Sequence, residues 1–137
     1  MCAILALAGC GSSSLSATAL RNQAAEVCTT ANRLTAAIPT PRSPAASSAF
    51  LRRGLAVFEP ELASLRVLSA PGDLDQAYAV SLDAFADKLQ ALSLAITRMR
   101  AGADPRTTIA GLAHRLAPLD SKENRAWRAL EIPACLS

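Results

Sequence analysis

Apolar residues recur along the chain at alternating spacings of three and four positions, the pattern of helices that pack on other helices. It predicts a first helix from about Ser16 to Ala37, ending before Pro39 because the residue that precedes a proline is disfavoured in the α region. A second helix begins near Ser47 or Ser48, and its apolar seam continues across Pro60, which predicts a kinked helix. The seams are Leu20, Ala24, Val27, Ala31, Leu34 and Ile38, then Leu51, Leu55, Phe58, Leu62 and Leu65.

Two further helices follow the turn at Ala70-Pro71-Gly72. The third is predicted to have Asp73 as its N-cap, Gln76 as the partner in a capping box, and Gly102 just beyond its end. The fourth starts with Asp104 as N-cap and Pro105 in the first turn, and it ends before Ile132-Pro133. Pro118 predicts a kink or a short break, after which Asp120 and Glu123 would cap a fresh start. The seams are Tyr78, Leu82, Phe85, Leu89, Leu92, Ile96 and Met99, then Ile109, Leu112, Leu116, Leu119, Trp127 and Leu130.

Composition agrees with an all-helical fold. Half of the residues are hydrophobic but only 4% are aromatic, and alanine and leucine, both strong helix formers, supply most of the apolar fraction. Four amphipathic helices with short links predict an all-α, up-down-up-down four-helix bundle over residues 16–137. The formal net charge of +3 is too small and too scattered to indicate nucleic-acid binding.

The first ten residues differ from the rest of the chain. Residues 2–8 are apolar, too short a run to span a bilayer but long enough for the end of a signal peptide. The following Leu7-Ala8-Gly9-Cys10 resembles the lipobox of bacterial lipoproteins, in which the cysteine is acylated and becomes the new N-terminus. The resemblance implies a signal peptide at 1–9, a lipidated Cys10 and a Gly/Ser tether at 10–15. Because no basic residue precedes this run, we expect Met1 to lie inside a longer reading frame.

The remaining cysteines are Cys28 and Cys135. With Cys2 removed and Cys10 acylated, an exported chain keeps this even number, which predicts a disulfide. The topology agrees, since a tail turning back after Pro133 can reach the first helix. The alternative is two unrelated thiols, one buried and one in a loose tail. The stretches AEVCTTANRL and WRALEIPAC also resemble the ends of small, uncharacterised helical lipoproteins of high-GC bacteria, which implies a helical domain closed by a disulfide and no particular activity.

Candidate chemistry is sparse. His114, the only histidine, is predicted to face outward, which disfavours a metal or haem site. Asp83 and Asp87 share a helix face and would suit cation binding or acid–base work, but a solvated stripe beside Lys88 is the preferred interpretation. Two arginines, Arg125 and Arg128, flank Trp127 and permit a cation–π contact or a polar edge to the core, and packing is the preferred interpretation over a binding site.

These observations predict no catalytic residue, cofactor or metal. The preferred hypothesis is an exported protein held at the membrane by its lipid, with an interaction or structural role in the cell envelope and another envelope protein as its expected partner. The alternative is a protein that binds a small apolar ligand inside the bundle. Its cavity would lie among Leu82, Phe85, Leu89, Phe58 and Leu116.

Overall fold

The computed structural model describes residues 14–137, so the predicted signal segment 1–9 and Cys10 lie outside the described residues. Within this range the chain is helical, as predicted, and contains no strand. Short 3₁₀ turns precede the second helix and follow the fourth. The elements are α1 (Ala17–Ala36), a turn at Pro44–Ala46, α2 (Ser47–Arg66), α3 (Asp75–Arg100), α4 (Pro105–Leu130) and a turn at Pro133–Cys135.

Successive helices run antiparallel, which confirms the up-down-up-down bundle. The start of α1 meets the end of α2, where the Leu15 N–H donates to the Ser69 carbonyl at 2.8 Å. The end of α4 returns to the first turns of α1, where the Arg21 Nε donates to the Leu130 carbonyl at 2.9 Å. From there the C-terminal tail turns back and runs beside α1. The tail therefore supplies part of the packing that closes the bundle between its first and last helices.

The core lies where the four helices and the tail meet. Its most completely buried side chains include Trp127 and Leu130 of α4, Leu20 of α1, Leu65 of α2 and Ile132 of the tail. The rings of Tyr78 and Trp127 pack edge to face with centroids 5.9 Å apart. The predicted burial of Leu34, near the end of α1, is wrong, because 49% of its surface is exposed. The tail packs on a different side of α1, so the buried face at this end of the helix contains Cys28 and Ala31 but not Leu34.

Three of the predicted helix ends are confirmed. The Ser16 hydroxyl accepts from the Ala19 N–H at 3.1 Å, and Asp104 accepts from the Thr107 N–H at 2.8 Å, as N-caps do. Gly102 has φ 94°, and the Ala103 N–H donates to the Arg98 carbonyl. This is a Schellman motif, in which glycine adopts the left-handed conformation without a steric cost.

The predicted capping box at Asp73 is wrong. The α3 helix begins at Asp75, and its N-cap is Leu74, which offers no side-chain hydrogen bond. The Leu74 N–H donates to the Pro71 carbonyl, so the chain from Pro71 to Leu74 is a hydrogen-bonded turn rather than a helix start. Tyr78 is buried, and its hydroxyl donates to the Leu65 carbonyl at 2.7 Å. This contact determines where α3 starts.

Both internal prolines lie in continuous helices. Pro60 is inside α2 as predicted, and Pro118 does not break α4, so the predicted fresh start at Asp120 and Glu123 is wrong. Each proline removes one backbone donor and leaves the carbonyl four residues earlier without its helical partner. Those carbonyls belong to Ala56 and His114, which are both exposed, so water can hydrogen-bond to them.

The predicted disulfide between Cys28 and Cys135 is confirmed. Their sulfurs are 1.96 Å apart, and the bond joins the middle of α1 to the tail across a sequence separation of 107 residues. A loop of this length contributes about 4–5 kcal/mol in the chain-entropy description. The Asn32 side chain also donates to the Ala134 carbonyl at 2.9 Å, which fixes the tail one turn further along α1.

Candidate functional site: a buried ion cluster beside the tail

The polar residues considered from the sequence do not form a site. His114, Asp83 and Asp87 are exposed on their helices, and so are Arg125 and Arg128. Cys10 lies outside the described residues. Within residues 14–137, no group of three or more histidine, cysteine, aspartate or glutamate side chains is arranged to hold a metal ion.

A different set of charged side chains meets inside the bundle, centred on Lys88 of α3. The Lys88 Nζ lies 2.7 Å from Glu123 Oε2 and 2.6 Å from Asp120 Oδ1, both on α4. It also lies 3.2 Å from the Ser137 hydroxyl in the tail. Lys88 therefore joins α3, α4 and the tail, whereas Asp83 and Asp87 are exposed beside it, as the interpretation of a solvated stripe predicts.

Glu123 is the most deeply buried charge of this cluster, with 4% of its surface exposed. Its Oε2 accepts from Lys88, and its Oε1 accepts from the Trp127 indole N–H at 3.1 Å. Both carboxylate oxygens thus have a donor, which a charge in a low-dielectric interior requires. The Asp120 side chain is 40% exposed, so water solvates it as well.

The cluster keeps Lys88 charged. Burial lowers the pKa of this ammonium group, but the hydrogen bonds to Asp120 and Glu123 and their negative charges outweigh burial and hold its pKa above the ordinary value. A lysine acts as a nucleophile or a general base only when it loses its proton. The arrangement around Lys88 therefore favours a structural ion pair over a reactive amine.

Glu61 of α2 is the member of the cluster without a partner. Among residues 14–137, no side chain makes a hydrogen bond or an ion pair with its carboxylate. Burial raises the pKa of Glu61 to about 7, the charge of Glu123 adds to this effect, and Lys88 opposes it. Three carboxylates thus share one ammonium, so negative charge is in excess here although the whole chain carries +3.

Glu61 lies between two spaces. On its inner side is a cavity of about 80 Å³, and on its outer side a groove of about 290 Å³ between α1 and α2. The inner cavity has a polar wall that contains Asn32, Glu61, Lys88, Glu123 and Ser137, and an apolar wall that contains Phe58, Phe85, Leu89 and Leu92. Its volume is below the roughly 300–1,000 Å³ of small-molecule pockets, and its polar wall suits a few waters. The hypothesis of an apolar ligand inside the bundle stays a prediction and gains no support from this cavity.

The sequence contains a pattern that could have indicated the ion cluster, namely charged residues in phase with the apolar seams. Lys88 lies three residues after Phe85, Glu61 three after Phe58, and Glu123 four before Trp127. Each charged residue is therefore in phase with an apolar seam. Charged residues at seam positions of separate helices indicate a buried ion cluster, because a buried charge requires a partner.

Comparisons with protein-family models, with curated proteins and with solved structures found no match for this chain.

Proposed function

We propose that this protein is a lipoprotein of the bacterial cell envelope, held at the membrane by Cys10 and acting there through interactions or structure. The observation that carries the proposal is the disulfide between Cys28 and Cys135. Structural disulfides persist in oxidising compartments outside the cytoplasm. The bond uses both cysteines of the described residues and leaves Cys10, with its lipobox-like context, for acylation.

The start of the folded domain supports the same proposal. The helix α1 begins at Ala17 with Ser16 as its cap, so only a few residues separate Cys10 from the bundle. Residues 11–14 are Gly-Ser-Ser-Ser, a composition typical of a spacer. Within residues 14–137, no helix has the length and apolar character of a membrane span. Two or three acyl chains on one cysteine provide stable anchoring.

An interaction or structural role agrees with the chemistry of the interior. Lys88 forms ion pairs with Asp120 and Glu123, which join α3 to α4. Its contact with the Ser137 hydroxyl joins both helices to the tail. A domain stabilised in this way, and also by a disulfide, suits a rigid module that presents its surface to a partner in the envelope.

Membrane fractionation tests the anchor. The gene is expressed together with the genomic sequence that precedes the Met1 codon, as wild type, as Cys10→Ala and as Cys2→Ala. We expect the wild type and Cys2→Ala in the membrane fraction, with the mass of intact protein raised by acyl chains, and Cys10→Ala without that added mass and released from the membrane. Because Cys2 precedes the expected cleavage point, it is the matched control. A Cys10→Ala protein that fractionates like the wild type and has the same mass contradicts the proposal.

A further inference from the structure

The groove between α1 and α2 has an apolar wall that is open to solvent. Leu34, with 49% of its surface exposed, is one of three large hydrophobic side chains that project into solvent within residues 14–137. The volume of the groove, about 290 Å³, is close to the lower limit of small-molecule sites. The apolar side chains that line it include Val27 and Leu34 of α1 and Val57 and Pro60 of α2.

Every ionisable side chain that lines the groove is acidic. Glu26 comes from α1 and Glu61 from α2, while the two polar neutral groups beside them are hydroxyls. Behind Glu61 lie Lys88 and Glu123, but Lys88 already pairs with Glu123 and Asp120. The groove therefore combines an apolar surface with uncompensated negative charge.

We propose that this groove binds a small amphiphilic cation, whose ammonium or guanidinium group pairs with Glu61 and whose alkyl or aryl part covers Leu34. Charge complementarity selects this occupant over an anion or a neutral apolar molecule. Glu61 is partly desolvated and makes no hydrogen bond to another side chain of the described residues, so a cation can replace the water at this carboxylate with a charge-assisted hydrogen bond. Covering Leu34 removes apolar surface from water and adds to the affinity.

Binding is coupled to the protonation of Glu61. Glu26 on α1 lines the same groove, Lys88 on α3 and Glu123 on α4 are the charges that act on the Glu61 carboxylate, and the pKa of Glu61 is raised to about 7. A cation binds only the ionised form well, so affinity rises as the pH increases through this value. Between pH 6 and pH 8 the ionised fraction grows roughly tenfold, and the affinity is expected to follow it.

The test is an NMR titration of the purified full chain with n-hexylammonium at about pH 8. The matched probe is 1-hexanol, which has the same chain length and no charge. We expect saturable shifts in residues 26–34 and 57–64 with the cation, about tenfold weaker binding of the alcohol, and weaker cation binding at about pH 6. Equal affinity for both probes, or no saturable shift with the cation, overturns the proposal.

Variants locate the site. Glu61→Gln is expected to weaken hexylammonium binding about tenfold and to remove its pH dependence, whereas Glu59→Gln, the same change at an exposed neighbour outside the groove, leaves the affinity within about twofold. Leu34→Ser is expected to weaken binding about threefold or more, since it removes exposed apolar wall without disturbing the core. Circular dichroism checks that each variant is folded. Binding to folded Glu61→Gln within twofold of the wild type contradicts the assignment.

Discussion

Removing the ammonium group of Lys88 tests whether the buried cluster stabilises the bundle. The variant Lys88→Met retains an unbranched apolar side chain in place of the lysine stem, which is 12% exposed in the structure. It takes away the donor to Glu123 Oε2 and leaves that carboxylate with only the Trp127 indole N–H. The perturbation is therefore an uncompensated buried charge and not a cavity.

The expected magnitude follows from the burial of the two partners. Breaking a buried ion pair by removing one member costs about 3–5 kcal/mol. Glu123 is 4% exposed and bears this cost, whereas Asp120 has a side chain that is 40% exposed and stays hydrated. We expect Lys88→Met to lower the free energy of unfolding by about 3 kcal/mol at neutral pH.

A second substitution separates this reason from simple loss of packing. In Lys88→Met/Glu123→Gln, the amide oxygen still accepts from the Trp127 indole and no buried charge remains. We expect the double variant to recover about 2 kcal/mol relative to Lys88→Met. Urea unfolding followed by the fluorescence of Trp127, with the disulfide intact, measures both. Lys122→Met, a change at the only other lysine, which is exposed, is the control and is expected to stay within about 0.5 kcal/mol. A single variant that loses less than about 1 kcal/mol, or a double variant no better than the single, refutes the reasoning.

Two further predictions concern Glu61 and Glu131. The pKa of Glu61 is raised from 4.5 to about 7 in the folded chain, so folding favours its protonated form and stability falls as the pH rises through this window. Urea unfolding at several pH values should show Glu61→Gln gaining about 1 kcal/mol on the wild type between acid and neutral pH, a modest figure because water screens this partly buried group; parallel curves contradict it. Glu131 has φ 59° and pairs with Arg21 at 2.6 Å, so Glu131→Ala loses an exposed ion pair and keeps the left-handed strain. Thermal unfolding should find Glu131→Gly about 0.5–1 kcal/mol more stable than Glu131→Ala, and equal stability would remove strain as the reason.

The sequence was sufficient for features that depend on local or one-dimensional patterns. Helical periodicity, proline at Pro39 and Pro105, and glycine at Gly102 predict the four helices and several of their ends, because backbone sterics determine them locally. The disulfide followed from the number of cysteines and from bundle topology. The Asp73 capping box failed because burial of Tyr78 fixes the start of α3, and a tertiary contact of this kind outweighs local capping preference.

The ion cluster was missed for a related reason. Lys88 and Glu123 each stand in a helical seam, and a periodicity argument treats a charged residue there as an interruption. Whether these two residues pair depends on the register between α3 and α4, which brings the Lys88 Nζ within 2.7 Å of Glu123 Oε2 although the residues are 35 positions apart. The excess of carboxylates and the place of Glu61 between the inner cavity and the groove depend on how the helices pack together, so the outer groove could not be predicted before the bundle was assembled.

The anchor and the groove are separate proposals, and the geometry of the bundle makes them independently testable. The end of the bundle that bears Ser16 and Ser69 adjoins Cys10 in sequence, so it faces the membrane if Cys10 is acylated. Along α1, Thr30 in the groove lies about 20 Å beyond Ala17, at a rise of about 1.5 Å per residue. The groove therefore opens on the side of the bundle, and if Cys10 anchors the chain, a soluble amphiphilic cation is expected to reach it without entering the bilayer. It follows that Cys10→Ala changes membrane fractionation and leaves the affinity for hexylammonium unaltered, whereas Glu61→Gln does the reverse.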